Sequence, residues 1–275
     1  MPPRHPQSGS ACNVDFFRIV ASKGKTMALI TCPECGKEIS DKAVACPNCG
    51  CPASEWRVFS IYSSVRKCDV VTFGSYPYTK HGLKAPIEWI VLSKRNNKVQ
   101  LISKYALDAR PFNVERKNVT WENCTLRTWL NMAFYNEAFN DNEESHIVQT
   151  KVKGGKNIKG GISNGNDTVD KVFLLSVEEA EKILNNPKIG TCVPTEYAFA
   201  QGAKTADCVV VEGKVACCLW SRSASCTIRP YAYAVAHSSS ISNPDIYKQK
   251  KIVRANALVT DRNAIRPVVW VEVGE

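Results

Sequence analysis

Residues 32–50 read CPECGKEISDKAVACPNCG, and this stretch decides the fold of the first module of the chain. Two residues separate the cysteines of each pair, a spacing that lets one tight turn direct both sulfurs at a single ion. The glycine after each pair accepts backbone angles that other residues avoid. Two such pairs complete a tetrahedral site of four thiolates, which leaves no position open for water. The spacing therefore predicts a structural zinc ion bound by Cys32, Cys35, Cys46 and Cys49.

This stretch resembles the short bacterial zinc ribbon that begins many otherwise unrelated proteins, and we assign residues 27–54 to it. Between residues 31 and 55 there are two basic and four acidic side chains, a net charge of −2: Lys37 and Lys42 against Glu34, Glu38, Asp41 and Glu55. Four thiolates around one zinc dication make the module more acidic still. Because a phosphate backbone attracts positive charge, we expect the ribbon to be an adaptor or protein-contact module.

The composition of the whole chain is that of a globular protein. It has 275 residues, 44% of them hydrophobic, which suits one sizeable domain beside the ribbon. Its apolar stretches are far shorter than the roughly 20 residues that cross a bilayer, so we expect no membrane span. No secretory signal is recognisable, so we predict a cytoplasmic protein with reduced cysteines. We expect residues 1–26 to be a disordered leader, with Met27 as the natural start.

Residues 57–275 carry a continuous pattern of strands and helices without regular βαβ alternation, which predicts an α+β fold. A turn at residues 95–97 suits a hairpin between strands at 87–92 and 99–103. Ser176 followed by Glu179 is a capping box that opens a helix. A helical apolar stripe is formed by Leu126, Trp129, Leu130, Ala133 and Phe134. Further strands are predicted at 58–62, 70–73 and 172–175.

Motifs spread over nearly the whole of residues 58–275 resemble a widespread, uncharacterised bacterial domain of unknown function. They are Ile87-Glu88-Trp89, Val91-Leu92, Leu101-Ile102-Ser103, Trp121, Leu126-Arg127, Trp129-Leu130-Asn131, Phe139, Asp170, Val172 to Ser176, Trp220, Arg222-Ser223 and Arg266-Pro267. The resemblance implies a variant of the C-type-lectin-like fold, related to formylglycine-generating enzymes and to the variable proteins of diversity-generating retroelements. It implies no established activity.

In that fold the N- and C-terminal strands pair, which would place residues 58–62 or 70–73 beside residues 268–273. A poorly regular segment before the last strand forms the ligand-facing surface, here residues 221–266. This segment mixes tyrosines with small and polar residues, as adaptable binding surfaces do. Residues 221–267 also hold eight basic and two acidic side chains, which is +6 of the +10 net charge of the chain. We therefore expect an acidic protein or another acidic macromolecule as partner.

The candidate ligand-binding residues are Trp220, Arg222, Arg229, Tyr231, Tyr233, His237, Tyr247, Arg254, Asn256, Arg262 and Asn263. An alternative is that Tyr231, Tyr233 and Val235 alternate in an ordinary half-buried strand. We predict a non-enzymatic binding protein, and one hypothesis is that it is a variable target of a diversity-generating retroelement.

Two other functions remain open from the sequence. The first is an oxidative enzyme of the formylglycine-generating type, which the implied fold suggests. Its closely spaced cysteine motif is missing, and adjacent Cys217 and Cys218 would point to opposite faces of a strand. The second is a nucleic-acid binder that uses the tyrosines and basic residues of the segment 221–266. The match of residues 161–165 to G-x-S-x-G lacks the strand and helix that a serine nucleophile needs, so we reject it.

Overall fold

The computed structural model describes residues 29–32, 34–40, 43–52, 64–154, 165–190, 192–211, 214–224, 230–237 and 252–273. The strands are β1 (Leu29–Thr31), β2 (Glu38–Ser40), β3 (Val70–Pro77), β4 (Lys84–Arg95), β5 (Lys98–Ser103), β6 (Asp108–Pro111), β7 (Thr150–Val152), β8 (Thr168–Asp170), β9 (Val172–Phe173), β10 (Thr205–Val211), β11 (Lys214–Cys217), β12 (Leu219–Ala224), β13 (Tyr231–His237), β14 (Ile252–Leu258), β15 (Arg262–Ile265) and β16 (Val268–Glu272). The helices are α1 (Thr125–Trp129), α2 (Tyr135–Ala138), α3 (Asp141–His146), α4 (Val177–Ile183), α5 (Pro187–Gly190) and α6 (Glu196–Ala200). This mixture agrees with the predicted α+β class.

The ribbon has a small hydrophobic core of its own. Strands β1 and β2 pair antiparallel, with Ile30 opposite Ile39. The buried residues of this core are Cys32, Ile39, Cys46 and Cys51. Three of these four are cysteines, so the described residues of the module bury little aliphatic surface.

The larger module contains a five-stranded antiparallel sheet in the order β3-β4-β5-β16-β9. The predicted hairpin is confirmed: β4 and β5 are joined by Asn96 and Asn97, and Asn96 has a φ of 51°. Asparagine tolerates this left-handed conformation better than most residues, which explains the turn.

The predicted pairing of N- and C-terminal strands is wrong for residues 70–73. Strand β16 pairs with β5 and β9, whereas β3 pairs with β4. Two successive antiparallel connections place β4 between β3 and β5, so β16 joins the sheet at the remaining edge of β5. The other predicted partner, residues 58–62, lies outside the described residues.

A second five-stranded sheet has the order β14-β13-β12-β15-β6. Its pairs are antiparallel except that β12 runs parallel to β15, with Leu219 opposite Ala264. In the described part of this sheet β14 has a single neighbour, β13, and so forms one end. A single hydrophobic core includes residues of both five-stranded sheets, among them Trp89 of the first and Ile265 of the second.

The predicted apolar stripe is confirmed in part. Leu126, Leu130 and Phe134 are buried, but Ala133 is exposed. Residues Leu130–Phe134 form a π-helical turn between α1 and α2. The wider turn shifts the angular position of the residues that follow, which explains why strict α-helical spacing fails at Ala133. Among the described residues no helix is both long and apolar enough to span a bilayer.

The capping box is confirmed at the start of α4. The Glu179 amide donates to Ser176 Oγ over 3.2 Å, and the Ser176 amide donates to Glu179 Oε2 over 3.0 Å. Each bond satisfies a backbone donor that the first helical turn would leave unpaired. This fixes the position of α4 directly after β9.

We expect Gly74→Ala to destabilise the larger module by about 2–4 kcal/mol. Gly74 in β3 has a φ of +72°, and an added Cβ would lie 2.6 Å from the Ala138 carbonyl oxygen and 2.7 Å from the ring of Phe139. Gly82 is the matched control, because its φ is +82° but no atom lies within 4 Å of its Cβ position. Gly82→Ala should cost only the backbone strain, about 1–2 kcal/mol. Equal losses in urea unfolding would contradict this account.

Candidate functional site

The four predicted metal ligands converge in the ribbon. The Sγ atoms of Cys32, Cys35, Cys46 and Cys49 all lie within 4.8 Å of one another. Two of the Sγ–Sγ distances are 3.5 Å, between Cys32 and Cys49, and 3.6 Å, between Cys35 and Cys46. Sulfurs placed about 2.3 Å from a central zinc ion would form a tetrahedron with edges of about 3.8 Å. The cluster therefore has the size and the donor atoms of a four-thiolate metal centre.

Two equivalent turns build this centre. The Gly36 amide donates to the Cys32 carbonyl and the Gly50 amide donates to the Cys46 carbonyl, each over 2.9 Å. Gly36 and Gly50 have φ values of +69° and +77°, the left-handed conformation predicted for the glycine after each pair. Cys51 is buried beside the centre but is not one of the four clustered cysteines.

Three of the predicted ligand-binding residues belong to the protein interior, which corrects their assignment. Trp220 is buried, and its Nε1 donates to the Arg110 carbonyl over 2.8 Å. Asn263 is buried, and its Nδ2 has no hydrogen-bond partner in the described part of the chain. Arg222 is also buried. Sequence alone could not show this, because strand β12 is buried on both faces and its polar residues are satisfied by distant partners.

Arg222 holds α4 against β12. Its Nη2 donates to Glu179 Oε1 over 2.9 Å, its Nη1 donates to the other carboxylate oxygen, and Nη1 also donates to the Leu174 carbonyl over 2.8 Å. Burial alone would raise the pKa of Glu179, but the Arg222 guanidinium outweighs burial and lowers it. The same glutamate thus caps the helix and neutralises a buried arginine, which is a structural role.

Four other candidates occupy one face of the hairpin formed by β13 and β14. Directly opposed residues of an antiparallel pair share a face. The register places Tyr233 opposite Asn256, and Tyr231 and His237 occupy positions on that same face of β13. Arg254 lies two positions from Asn256 on β14 and so shares this face. We call the positions of Tyr231, His237, Arg254 and Asn256 the hairpin face.

The hairpin face is open at one end. Asn256 is exposed and Tyr231 is half-buried. Tyr233, however, is only 7% exposed, so its assignment as a ligand-binding residue is corrected. Val235, on the same face, lines a cavity with Ala180 and Leu184 from the α4 region, which shows that the helix covers that end. The alternative of an ordinary half-buried strand therefore holds for Tyr233 and Val235.

The remaining candidates are Arg229, Tyr247 and Arg262. Arg229 and Tyr247 lie outside the described residues. Arg262 is exposed at the start of β15, and its Nη1 donates to the carbonyls of Ala109 and Gln201 over 3.0 and 2.7 Å. It links β6 to the residue after α6 and has a structural role.

Sequence reasoning missed a cluster around Cys192 and Cys217. The Cys217 amide donates to the Cys192 carbonyl over 3.0 Å, and the Cys217 thiol donates to the same oxygen over 3.3 Å. Arg266 is 3% exposed, and its guanidinium acts electrostatically on both cysteines. Only the tertiary fold brings these residues together, so no local pattern could have shown it.

Comparison with known proteins identifies the family of the larger module. Residues 96–273, about two thirds of the chain, match the model of a family described as Domain of unknown function (DUF6273). The match begins in the turn between β4 and β5, although β3 and β4 belong to the same sheet. No curated protein and no solved structure is similar enough to this chain to count as a match. The chain belongs to the DUF6273 family and carries a four-cysteine cluster ahead of that domain.

Proposed function

We propose that this protein is a non-enzymatic binding protein in which the open end of the hairpin face, at Tyr231 and Asn256, presents a recognition surface to an acidic protein. The observation that supports this most is the register of β13 and β14. It places four positions predicted from the sequence to bind a ligand on one face, at the end of a sheet. The residue types at these four positions are tyrosine, asparagine, histidine and arginine, a mixture of aromatic and polar residues that is typical of adaptable binding surfaces.

The net charge of the segment 221–267 supports an acidic partner. Arg222 and Arg266 are buried, so two of the eight basic residues of segment 221–267 do not contribute to a surface. Six basic residues against two acidic ones remain, a net charge of +4. Three of the six, Lys248, Lys250 and Lys251, directly precede β14 in sequence. A concentrated positive charge of this kind favours an acidic partner.

We also propose that the ribbon is a structural zinc module. A set of four thiolates at tetrahedral distances suits zinc, and a closed four-sulfur site has no open position for catalysis. Its net acidic sequence disfavours contact with nucleic acid. We therefore assign it a role in contacting protein, while the hairpin face selects the partner.

Binding of fluorescein-labelled poly-L-glutamate, followed by fluorescence anisotropy at low salt, tests this function. We expect the triple variant Lys248→Ala/Lys250→Ala/Lys251→Ala to bind about tenfold more weakly than the wild type. The matched control removes the same charge elsewhere, through exposed Lys80, Lys117 and Lys188, and should change affinity by less than about twofold. Equal losses in the two triple variants would show that net charge, and not the hairpin face, governs binding.

A substitution that removes no charge distinguishes binding at the hairpin face from nonspecific electrostatic attraction. We expect Tyr231→Ala to weaken poly-L-glutamate binding, whereas Tyr105→Ala, at another half-buried tyrosine, leaves it unchanged. Single-stranded DNA of equal charge serves as a second probe in the same buffers. Tighter binding of DNA than of poly-L-glutamate at every salt concentration would favour the nucleic-acid function instead.

A subsidiary part of the proposal is that the segment 221–266 is diversified by a retroelement. The C-type-lectin-like fold implied by the resemblance supports this, together with the Asn, Ser, Tyr and Ala content of the segment. Sequencing close siblings of the gene tests it, because the changes should concentrate at the hairpin face. Absence of both a near-repeat of this coding segment and a neighbouring reverse transcriptase would remove this part and leave the binding function intact.

A further inference from the structure

Cys192 and Cys217 are close enough to form a disulfide. Although 25 positions separate them in sequence, the backbone hydrogen bond of 3.0 Å between them brings their Cα atoms into the range of about 4.4–6.8 Å that disulfides span. The Cys217 thiol also donates to the Cys192 carbonyl oxygen over 3.3 Å, which places the Cys217 sulfur close to Cys192. Both residues are buried, at 1% and 3% exposure.

Arg266 supplies a positive charge that has no other counter-ion. Its Nε donates to the Ser103 carbonyl over 2.8 Å and its Nη1 to the Ile189 carbonyl over 2.7 Å. Its Nη2 is buried and has no hydrogen-bond partner, and no carboxylate within the described ranges pairs with it. Because a buried, uncompensated cation is strongly destabilising, the nearby Cys192 sulfur gains from carrying a negative charge.

The two thiols differ in acidity in a way that assigns them different roles. Burial alone would raise the pKa of Cys192, but the adjacent Cys217 thiol and the charge of Arg266 outweigh burial and lower it. Burial and the adjacent, negatively charged Cys192 sulfur raise the pKa of Cys217 well above its ordinary value. The thiolate is the nucleophilic form of cysteine, so Cys192 is the attacking residue.

We propose that Cys192 and Cys217 form a peroxide-sensitive thiol pair, in which Cys192 is oxidised first and Cys217 resolves it. The Cys192 thiolate attacks one oxygen of hydrogen peroxide, the O–O bond breaks, and hydroxide leaves, which gives Cys192 sulfenic acid. The Cys217 sulfur then attacks the Cys192 sulfur, the S–O bond breaks, and the hydroxyl group departs with the Cys217 proton as water. The two thiols lose two electrons, and one peroxide is reduced.

The burial of both cysteines favours a small oxidant. Neither Cys192 nor Cys217 is more than 3% exposed, so a bulky disulfide such as oxidised glutathione would reach the Cys192 sulfur only after a large opening of the fold. Hydrogen peroxide is a small oxidant and requires the least rearrangement.

Peptide mass spectrometry of the full chain treated with hydrogen peroxide tests the proposal. We expect a cross-linked pair of peptides containing Cys192 and Cys217. In Cys217→Ser the sulfenic acid of Cys192 should persist and be trapped by dimedone, whereas in Cys192→Ser the remaining Cys217 should stay a thiol. Dimedone labelling of Cys217 in Cys192→Ser at the rate seen for Cys192 in Cys217→Ser would overturn the assignment of roles.

Cys124 is an internal control of equal burial. It is 1% exposed, its thiol donates to the Trp121 carbonyl, and burial raises its pKa to about 12. We expect Cys192 to be oxidised about a hundredfold faster than Cys124 in the same sample. Equal rates, or oxidation of Cys124 without a Cys192–Cys217 cross-link, would refute the proposal.

Arg266 is tested by a pair of substitutions that differ in charge. Arg266→Lys keeps the positive charge, so its rate of Cys192 oxidation should be within about threefold of the wild-type rate. In Arg266→Gln the same rate should be about tenfold lower. Circular dichroism establishes that each variant is folded. If Arg266→Gln does not fold, the contrast between Cys192→Ser and Cys217→Ser, which change only one atom, decides the question.

Discussion

Removal of the metal with a strong chelator is expected to unfold the ribbon and to leave the DUF6273 domain folded. Among the ribbon residues that the structure describes, the buried core consists of Ile39 and three cysteines, with Ala43 partly buried against them. Metal binding by such four-cysteine modules supplies about 10–16 kcal/mol, which in a module of this size is essentially the whole free energy of folding. Hydrogen–deuterium exchange should show complete loss of protection in residues 29–52 and unchanged exchange in residues 70–111.

Two cysteine substitutions make this prediction specific. Cys49→Ser removes one of the four clustered sulfurs and should abolish stoichiometric zinc and protection of the ribbon together. Cys51→Ala removes a buried cysteine outside the cluster and should retain one zinc per chain by elemental analysis. Retention of zinc by Cys49→Ser, or copper in place of zinc in the purified wild type, would contradict the structural zinc assignment.

The second large effect is expected at Asp170, where Asp170→Ala should destabilise the larger module by about 3–5 kcal/mol. The carboxylate is fully buried and accepts hydrogen bonds from Trp121 Nε1 at 2.9 Å, Arg127 Nε at 2.6 Å and Thr168 Oγ1 at 2.7 Å. Its removal leaves the partly buried Arg127 guanidinium without its counter-ion, although that guanidinium still donates to the Glu122 and Val169 carbonyls. It also leaves Trp121 Nε1 and Thr168 Oγ1 without their acceptor. Urea unfolding followed by tryptophan fluorescence measures the loss, because Trp121 belongs to this network.

Glu115→Ala is the control for Asp170→Ala. It also breaks an ion pair, to Lys117 at 2.8 Å, but both side chains are more than half exposed. Solvent screening makes such an exposed pair contribute little, so we expect Glu115→Ala to leave the stability of the module unchanged within the error of the measurement. A loss below 1 kcal/mol for Asp170→Ala would show that the network around Asp170 does not hold the fold together.

Local signals in the sequence predicted local structure well. The spacing of the four cysteines predicted a cluster that the structure contains, since two tight turns need no information from the rest of the chain. The Ser176–Glu179 capping box and the hairpin at Asn96 are likewise set by neighbouring residues. The resemblance of dispersed motifs to a domain of unknown function is confirmed over residues 96–273 by the family match.

Non-local structure was not predictable in the same way. The partner of β16 depends on which sheet edge the preceding hairpins leave open, and no residue of β16 encodes that choice. Arg222 was assigned to a binding surface because it lies in the segment 221–266, and its partner Glu179, 43 positions away, could not be recognised from the sequence. Cys192 and Cys217 meet only after β11 has folded back on the segment that follows α5. In each case the deciding contact comes from elsewhere in the chain.

Hydrogen–deuterium exchange in the presence and absence of poly-L-glutamate tests the central claim, recognition of an acidic partner by the hairpin face, most directly. The account predicts that protection is gained in peptides covering residues 231–237 and 248–258, with no change in the ribbon or in α1. Protection centred on residues 29–52, or spread evenly over exposed lysines such as Lys80, Lys117 and Lys188, would contradict it.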